Sequence, residues 1–143
     1  MKTNKNVVFL SNFFNHHQKP FSDAMFEKLG DGYLFIETST MSQERKNMGW
    51  AMDQLPSYVV SATDFFRHKG EYQTRIDQAD AVLIGSAPNK LVRKRIAEDR
   101  LTFRYSERPL KRGLELWKYP YRFIKWHLQN PPKKNLYMLC SSA

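Results

Sequence analysis

Residues 7–12 read Val7-Val8-Phe9-Leu10-Ser11-Asn12, four consecutive apolar side chains that give way at once to two small polar ones. A short, unbroken apolar run is typical of a strand buried on both faces, because an exposed face would require alternate polar residues. Such strands occur in parallel sheets whose two faces are covered by helices. This run therefore predicts the first strand of an α/β domain.

Similar apolar runs recur along the chain and alternate with helical patterns. Further strands are predicted at 33–36, 58–60, 81–84, 101–105 and 136–139. Helices are predicted at 20–29, 71–79 and 89–99, with a shorter one that a capping box opens at 40–43 and that ends near Gly49. The alternation predicts an α/β fold: a Rossmann-like, doubly wound parallel sheet of about six strands with helices on both faces.

Length and composition limit the classes of protein to which the chain can belong. Its 143 residues, 41% of them hydrophobic, are enough for one domain with a core and exclude a disordered chain. The apolar runs are far shorter than the roughly 20 residues needed to span a bilayer. Cys140 is the single cysteine, which excludes an internal disulfide and favours a reducing, cytoplasmic location.

The net charge of +9 is distributed unevenly along the chain. Residues 1–80 hold 9 basic and 10 acidic side chains, whereas residues 81–143 hold 14 basic and 4 acidic ones. The excess of positive charge in residues 81–143 favours an anionic partner such as a phosphate, a membrane surface or nucleic acid. Lysine and arginine side chains can also serve only to keep a domain soluble.

The loops after the strands carry the residues best suited to chemistry, because ligands of such sheets bind at the carboxyl ends of the strands. His16 and His17 follow the first strand, and an imidazole there can act as a general base or orient a substrate hydroxyl. Either histidine could instead cap the next helix or pack on Phe13 and Phe14. Adjacent histidines chelate one metal poorly, and no metal site is predicted.

Several nucleotide-binding and hydrolase motifs are absent from the sequence. The loop after the first strand has no glycine, whereas the dinucleotide fingerprint needs glycines for close approach to a pyrophosphate. A Walker A motif and the nucleophile elbow of hydrolases are also missing. Binding of NAD or FAD by this domain is therefore not expected.

Two basic segments near the carboxyl-terminal end are candidates for binding. Arg104, Glu107 and Arg108 place two guanidinium groups around one carboxylate, an arrangement that suits a phosphate or sugar ligand but equally a structural ion pair. Residues 110–128 mix basic and aromatic side chains, and Pro120 is expected to kink or divide a helix there. The candidates for contact with a membrane or anion are Trp117, Lys118, Arg122, Lys125 and Trp126. The aromatic side chains of this segment could alternatively form a core-facing stripe.

The sequence resembles the start of bacterial GT-B type glycosyltransferases. The specific likeness lies in Asn15-His16-His17-Gln18 and Tyr105-Ser106-Glu107-Arg108-Pro109, with weaker likeness at 35–38, 44–46 and 84–88. The resemblance implies that residues 1–143 are the Rossmann-like amino-terminal, acceptor-side domain. It also implies that the domain binding the nucleotide-sugar donor lies outside this chain, so that this domain alone binds no cofactor and is inactive alone.

The resemblance also implies roles for individual residues. His16 or His17 would be the catalytic base, and contacts with substrate are expected from Asn15, Gln18, Glu37, Ser86, Arg104, Ser106, Glu107 and Arg108. The acceptor would be a glycan, polysaccharide or lipid-linked sugar, and the enzyme would be cytoplasmic or peripheral at the inner face of the membrane. The alternative is a non-catalytic basic α/β module that binds an anionic polymer or membrane surface through residues 90–134, with nucleic acid the less favoured partner.

Overall fold

The computed structural model describes residues 5–52, 54–107 and 116–141. It contains one parallel sheet of six strands in the order β3-β2-β1-β4-β5-β6. The strands are β1 Val7–Ser11, β2 Tyr33–Glu37, β3 Val59–Val60, β4 Ala81–Ile84, β5 Thr102–Glu107 and β6 Leu136–Ser141. The predicted α/β fold and doubly wound parallel sheet are confirmed, and each strand lies within two residues of its predicted bounds.

Within the described residues, six helices lie between the strands. They are α1 Lys19–Leu29, α2 Gln43–Asn47, α3 Ala62–Arg67, α4 Lys69–Gln78, α5 Arg93–Ala97 and α6 Tyr119–Gln129. Short 3-10 turns lie at Gly30–Gly32, Asn89–Leu91 and Leu116–Lys118. Helix α3 was not predicted, because its six residues are too few to show an apolar period; Ser61 caps it by accepting a hydrogen bond from the Asp64 N–H at 3.3 Å.

The structure corrects three predicted helix boundaries. The region 89–99 is divided into a 3-10 turn that follows Pro88 and the short α5, because Leu91 and Val92 turn inward and are buried. The predicted capping box is wrong, since α2 follows Ser42, which makes no side-chain cap hydrogen bond. Pro120 lies in the first turn of α6 and does not divide the helix, because a proline there lacks only an N–H that has no intrahelical partner.

Alternation along the strands sends side chains to two separate cores. Val8, Leu10 and Val82 belong to a core completed by side chains from α3, α4 and α5. Phe9, Phe35 and Leu83 point to the opposite face, where α1 covers them with Met25, Phe26 and Leu29. Toward β5 and β6 this second face is more open, and three of its large side chains are exposed: Tyr105, Tyr137 and Leu139.

A buried phenol in the second core makes stability sensitive to alkaline pH. The Tyr33 hydroxyl is 2.8 Å from the Ser22 Oγ, and burial raises the pKa of Tyr33 to about 12 although that hydrogen bond opposes the rise. A tyrosine in the unfolded chain ionises near pH 10. The unfolded state therefore loses this proton first, and the stabilisation is lost as the pH rises from about 10 toward 12.

We expect Tyr33→Phe to make the unfolding free energy less dependent on pH in this alkaline range, by about one bound proton. Urea titrations at several pH values between neutrality and about 11 measure this dependence for the two proteins. The other groups that titrate at alkaline pH are the same in both proteins, so their contribution to the pH dependence of the unfolding free energy cancels in the comparison. Parallel pH profiles for the original and substituted proteins would contradict the assignment.

Candidate functional site at the carboxyl edge of the sheet

The strand order places a topological switch point between β1 and β4. From β1 the chain proceeds to β2 and β3 on one side, and from β4 it proceeds to β5 and β6 on the other. Gly85 follows β4 and donates its N–H to the Leu10 carbonyl at 2.8 Å. A Cβ atom at Gly85 would lie 3.3 Å from the Ser11 Oγ, so the two loops meet closely. Ligands of open α/β sheets bind at such a crevice.

The loop after β1 is folded into a turn by its own polar side chains. The Asn15 Oδ1 accepts a hydrogen bond from the His17 N–H at 2.9 Å, and the Gln18 Oε1 accepts one from the Asn15 N–H at 3.1 Å. Asn15 is buried, whereas His16 and His17 are both exposed. Asn15 and Gln18 were both predicted to contact substrate, and in the structure their side chains hold the backbone that carries His16 and His17.

Residues at and just after the end of β2 form hydrogen bonds with the loop that follows β1. The Glu37 carboxylate accepts a hydrogen bond from the Phe14 N–H at 2.8 Å and a longer one, 3.4 Å, from the Ala62 N–H. The buried Thr38 donates its hydroxyl to the Ser11 carbonyl at 2.9 Å. We call the loop between β1 and α1, residues 12–18, the histidine loop. Glu37 joins this loop to β2 and to the start of α3, so its side chain has a structural role in addition to any contact with substrate.

The two histidines lie beside an aromatic and cationic group that the sequence did not indicate. The His16 and His17 rings are 3.9 Å apart between centroids, and each lies just over 6 Å from the Trp50 ring. The Arg45 guanidinium lies over Trp50 at 5.4 Å and over Phe13 at 5.0 Å. We call His16, His17, Trp50 and Arg45 the histidine–tryptophan cluster. It offers proton acceptors, a flat apolar surface and one fixed positive charge.

A second group of predicted residues meets around a cavity at the ends of β4 and β5. The cavity has a volume of about 330 Å³, and Gly85, Arg104, Ser106, Trp126 and Met138 are among the residues that line it. Ser86 lies on the loop beside it and is exposed, without lining it. Arg104 and Ser106 from β5 are therefore brought together by the fold with Trp126 from α6, a residue predicted in a different segment.

Arg104 is engaged within the protein. Its Nε and Nη2 donate to the Gln129 carbonyl, and its Nη1 donates to the Asn89 Oδ1. Burial lowers the pKa of its guanidinium below the ordinary value. These contacts attach the carboxyl end of α6 to the sheet. The Arg108 prediction lies outside the described residues, as does the side chain of Glu107, whose backbone ends β5.

The described residues show neither a metal centre nor a membrane span. None of the histidine, cysteine and carboxylate side chains in these ranges gather in groups of three or more that could hold a metal ion. Within the same ranges, each helix is too short or too polar to cross a membrane. Cys140 is exposed near the end of β6.

The chain matches none of the family models, curated proteins or solved structures with which it was compared. The fold itself is that of a Rossmann-like α/β domain with a parallel sheet.

Proposed function

We propose that this chain is the amino-terminal, acceptor-side domain of a GT-B type glycosyltransferase. The observation that carries the proposal is the histidine–tryptophan cluster, which places two exposed imidazoles beside a tryptophan ring at the carboxyl edge of the sheet. An indole face suits the apolar C–H face of a sugar ring, and an imidazole suits its hydroxyl groups. The resemblance in Asn15-His16-His17-Gln18 is independent support for the same loop.

In this proposal a histidine of the cluster accepts the proton of an acceptor hydroxyl. The oxygen forms a bond to the anomeric carbon of the donor sugar, and the bond from that carbon to the nucleotide phosphate breaks with its electron pair on the phosphate oxygen. A nucleotide-sugar donor supplied by another domain is required for this reaction. Arg45 would orient the acceptor by its charge, because its guanidinium is held between two aromatic rings.

The proposal is tested by ligand binding to the chain itself. We expect octyl glycosides of glucose, galactose or N-acetylglucosamine to shift the NMR signals of the His16 and His17 imidazoles and the Trp50 indole. A neutral glycan releases no counterions, so its affinity should change little between low and high salt, unlike that of a polyanion. A UDP-hexose should leave these signals unshifted, because the donor site is proposed to lie elsewhere.

Substitution of the histidines separates a binding role from a structural one. We expect His16→Ala or His17→Ala to weaken glycoside binding about tenfold, a typical loss for one hydrogen bond to a bound ligand. One should matter more than the other, and we favour His17 because it lies closer to the start of α1. His68→Ala is the matched control, because His68 is also exposed but lies between α3 and α4.

Either of two results would contradict the proposal. One is the absence of signal shifts with all three glycosides at millimolar concentration. The other is strongly salt-dependent binding of heparin or single-stranded DNA that shifts the signals of His16, His17 and Trp50 while the glycosides do not, which is the behaviour of a non-catalytic module that binds an anionic polymer at this edge of the sheet.

A further inference from the structure

Helix α6 presents an apolar stripe to solvent. Trp117, in the turn that leads into the helix, and Tyr121, Ile124 and Leu128 within it follow one another at intervals of three or four residues, and therefore share one side. We call these four residues the outer stripe. Their relative exposures are 79%, 67%, 58% and 78%, and three of them are the most exposed large apolar side chains among the described residues.

The opposite side of α6 is the one that faces the protein. Trp126 lines the cavity between β4, β5 and β6 together with Met138, and the Gln129 carbonyl accepts hydrogen bonds from Arg104. With 3.6 residues per turn, Trp126 lies between about 140° and 200° around the helix from Tyr121, Ile124 and Leu128. Tyr121 and Ile124 thus point away from the sheet, whereas Leu128, although largely exposed, lies at the edge of a second cavity that Ile96 and Arg104 also line. Packing within the described residues therefore leaves all four side chains of the outer stripe mostly exposed. The two tryptophans predicted to act together are on different sides.

Positive side chains border the outer stripe. Lys118, Arg122 and Lys125 are also spaced by four and three residues, and they occupy the adjacent strip of the helix. The Lys118 Nζ lies 4.5 Å from the centre of the Trp117 ring, and the Lys125 Nζ lies 5.9 Å from that of Tyr121. We call these three residues the cationic border. Residues 116–141 contain five lysine and arginine side chains and no aspartate or glutamate.

We propose that the outer stripe and the cationic border dock this domain on an anionic lipid surface, with α6 lying in the plane of the membrane interface. Aromatic rings favour the depth of the lipid headgroups, and isoleucine and leucine side chains favour the acyl boundary below them. Lysine and arginine beside the rings then meet the lipid phosphates. This inference is independent of the proposed glycosyl transfer. Nucleic acid fits less well, because phosphate contacts give no reason to expose Ile124 and Leu128.

Vesicle flotation with the whole chain tests the proposal. We expect the protein to bind vesicles of phosphatidylcholine that contain about one third phosphatidylglycerol, and to bind vesicles of phosphatidylcholine alone much more weakly. Raising the salt concentration to about 0.5 M should release most of the bound protein, because screening shortens the range of the attraction.

Two variants test the two halves of the surface. Replacing Lys118, Arg122 and Lys125 by glutamine should weaken partition into the anionic vesicles by about 100-fold. Replacing Ile124 and Leu128 by serine should weaken it at least tenfold without a change of charge. Circular dichroism and thermal unfolding of both variants establish that the fold is retained, so that a loss of binding reports on the surface itself.

Matched controls come from other exposed elements of the same chain. The first control variant replaces three exposed basic residues of α1, α3 and α4 by glutamine: Lys28, Arg67 and Lys69. It removes as many positive charges as the α6 variant does. The second control variant replaces Met48 and Phe66 by serine. It removes two apolar side chains that are 61% and 57% exposed. Neither control should change the binding by more than about twofold, apart from a small general effect of net charge.

The proposal is overturned if the protein does not distinguish anionic from neutral vesicles at low salt, or if the control triple variant loses as much binding as the α6 variant. A third contrary outcome is self-association: if light scattering shows a dimer that Ile124→Ser with Leu128→Ser dissociates, and vesicles are not bound, the outer stripe is an interface between two copies of the chain. Retained binding by both α6 variants would place the lipid contact elsewhere on the protein.

Discussion

Replacing Arg95 by methionine is expected to lower the free energy of unfolding by about 3–5 kcal/mol, since two fully buried carbonyls lose their donor together with two partly buried ones. Arg95 is 0% exposed. Its Nη1 donates to the carbonyls of Ile76, Asp77 and Ala79, and its Nη2 donates to the Leu101 carbonyl at 2.7 Å. The guanidinium thereby caps the carboxyl end of α4 and joins it to the residue that precedes β5.

The guanidinium remains charged in this position. Burial is the main cause that lowers the pKa of Arg95, to about 10, which is still well above neutral pH. Desolvation of the charge is offset by the carbonyl dipoles at the end of the helix. The Nε has no hydrogen-bond acceptor among the described residues, so the site is not fully satisfied even in the native protein. Methionine retains much of the volume and removes all of the donors.

Urea unfolding followed by circular dichroism measures the loss for Arg95→Met. Arg100→Met is the matched control, because Arg100 also donates to a carbonyl near the end of α4, that of Gln78 at 3.0 Å, but is exposed. The control should cost less than about 1 kcal/mol, since water replaces the lost donor. Equal losses of unfolding free energy in the two variants would contradict the prediction, because the buried position of Arg95 would then give its hydrogen bonds no greater weight than that of the exposed Arg100.

Replacing Glu37 by alanine is expected to lower the free energy of unfolding by about 1–3 kcal/mol and to disturb the histidine loop, because the Phe14 N–H loses its acceptor. Phe14 is buried, so water does not readily replace the lost acceptor. Glu37→Gln retains one oxygen that can accept this hydrogen bond. The free energy of unfolding should therefore fall less in this variant than in Glu37→Ala.

Hydrogen exchange of the Phe14 amide distinguishes positioning from direct binding. In Glu37→Ala this amide should exchange faster, and the NMR signals of His16 and His17 should shift even without a ligand. Glu27→Ala, at an exposed position of α1, should change neither. If the Phe14 amide is unchanged in Glu37→Ala while glycoside affinity falls, Glu37 contacts the ligand directly and does not act by holding the loop.

Much of the fold was determined by local sequence. Apolar runs such as 7–10 and 81–84 specify strands buried on both faces, and α1 is defined by an apolar stripe that ends before Gly30. The position of His16 and His17 after β1 follows from these elements alone, because the carboxyl ends of parallel strands meet at one edge of the sheet. These features depend on neighbours a few residues apart, which the sequence displays directly.

The tertiary structure alone decided which polar side chains are used internally and which remain for ligands. Arg95 lies in the segment 89–99, which was predicted only as a helix, yet its side chain is buried and donates to carbonyls up to 19 residues away. Trp50 lies beside His16 and His17, and Arg45 lies over Phe13 and Trp50. Trp117 and Trp126 lie on different sides of α6. A side chain's partners depend on which distant elements the sheet brings alongside it, and no local period encodes that choice.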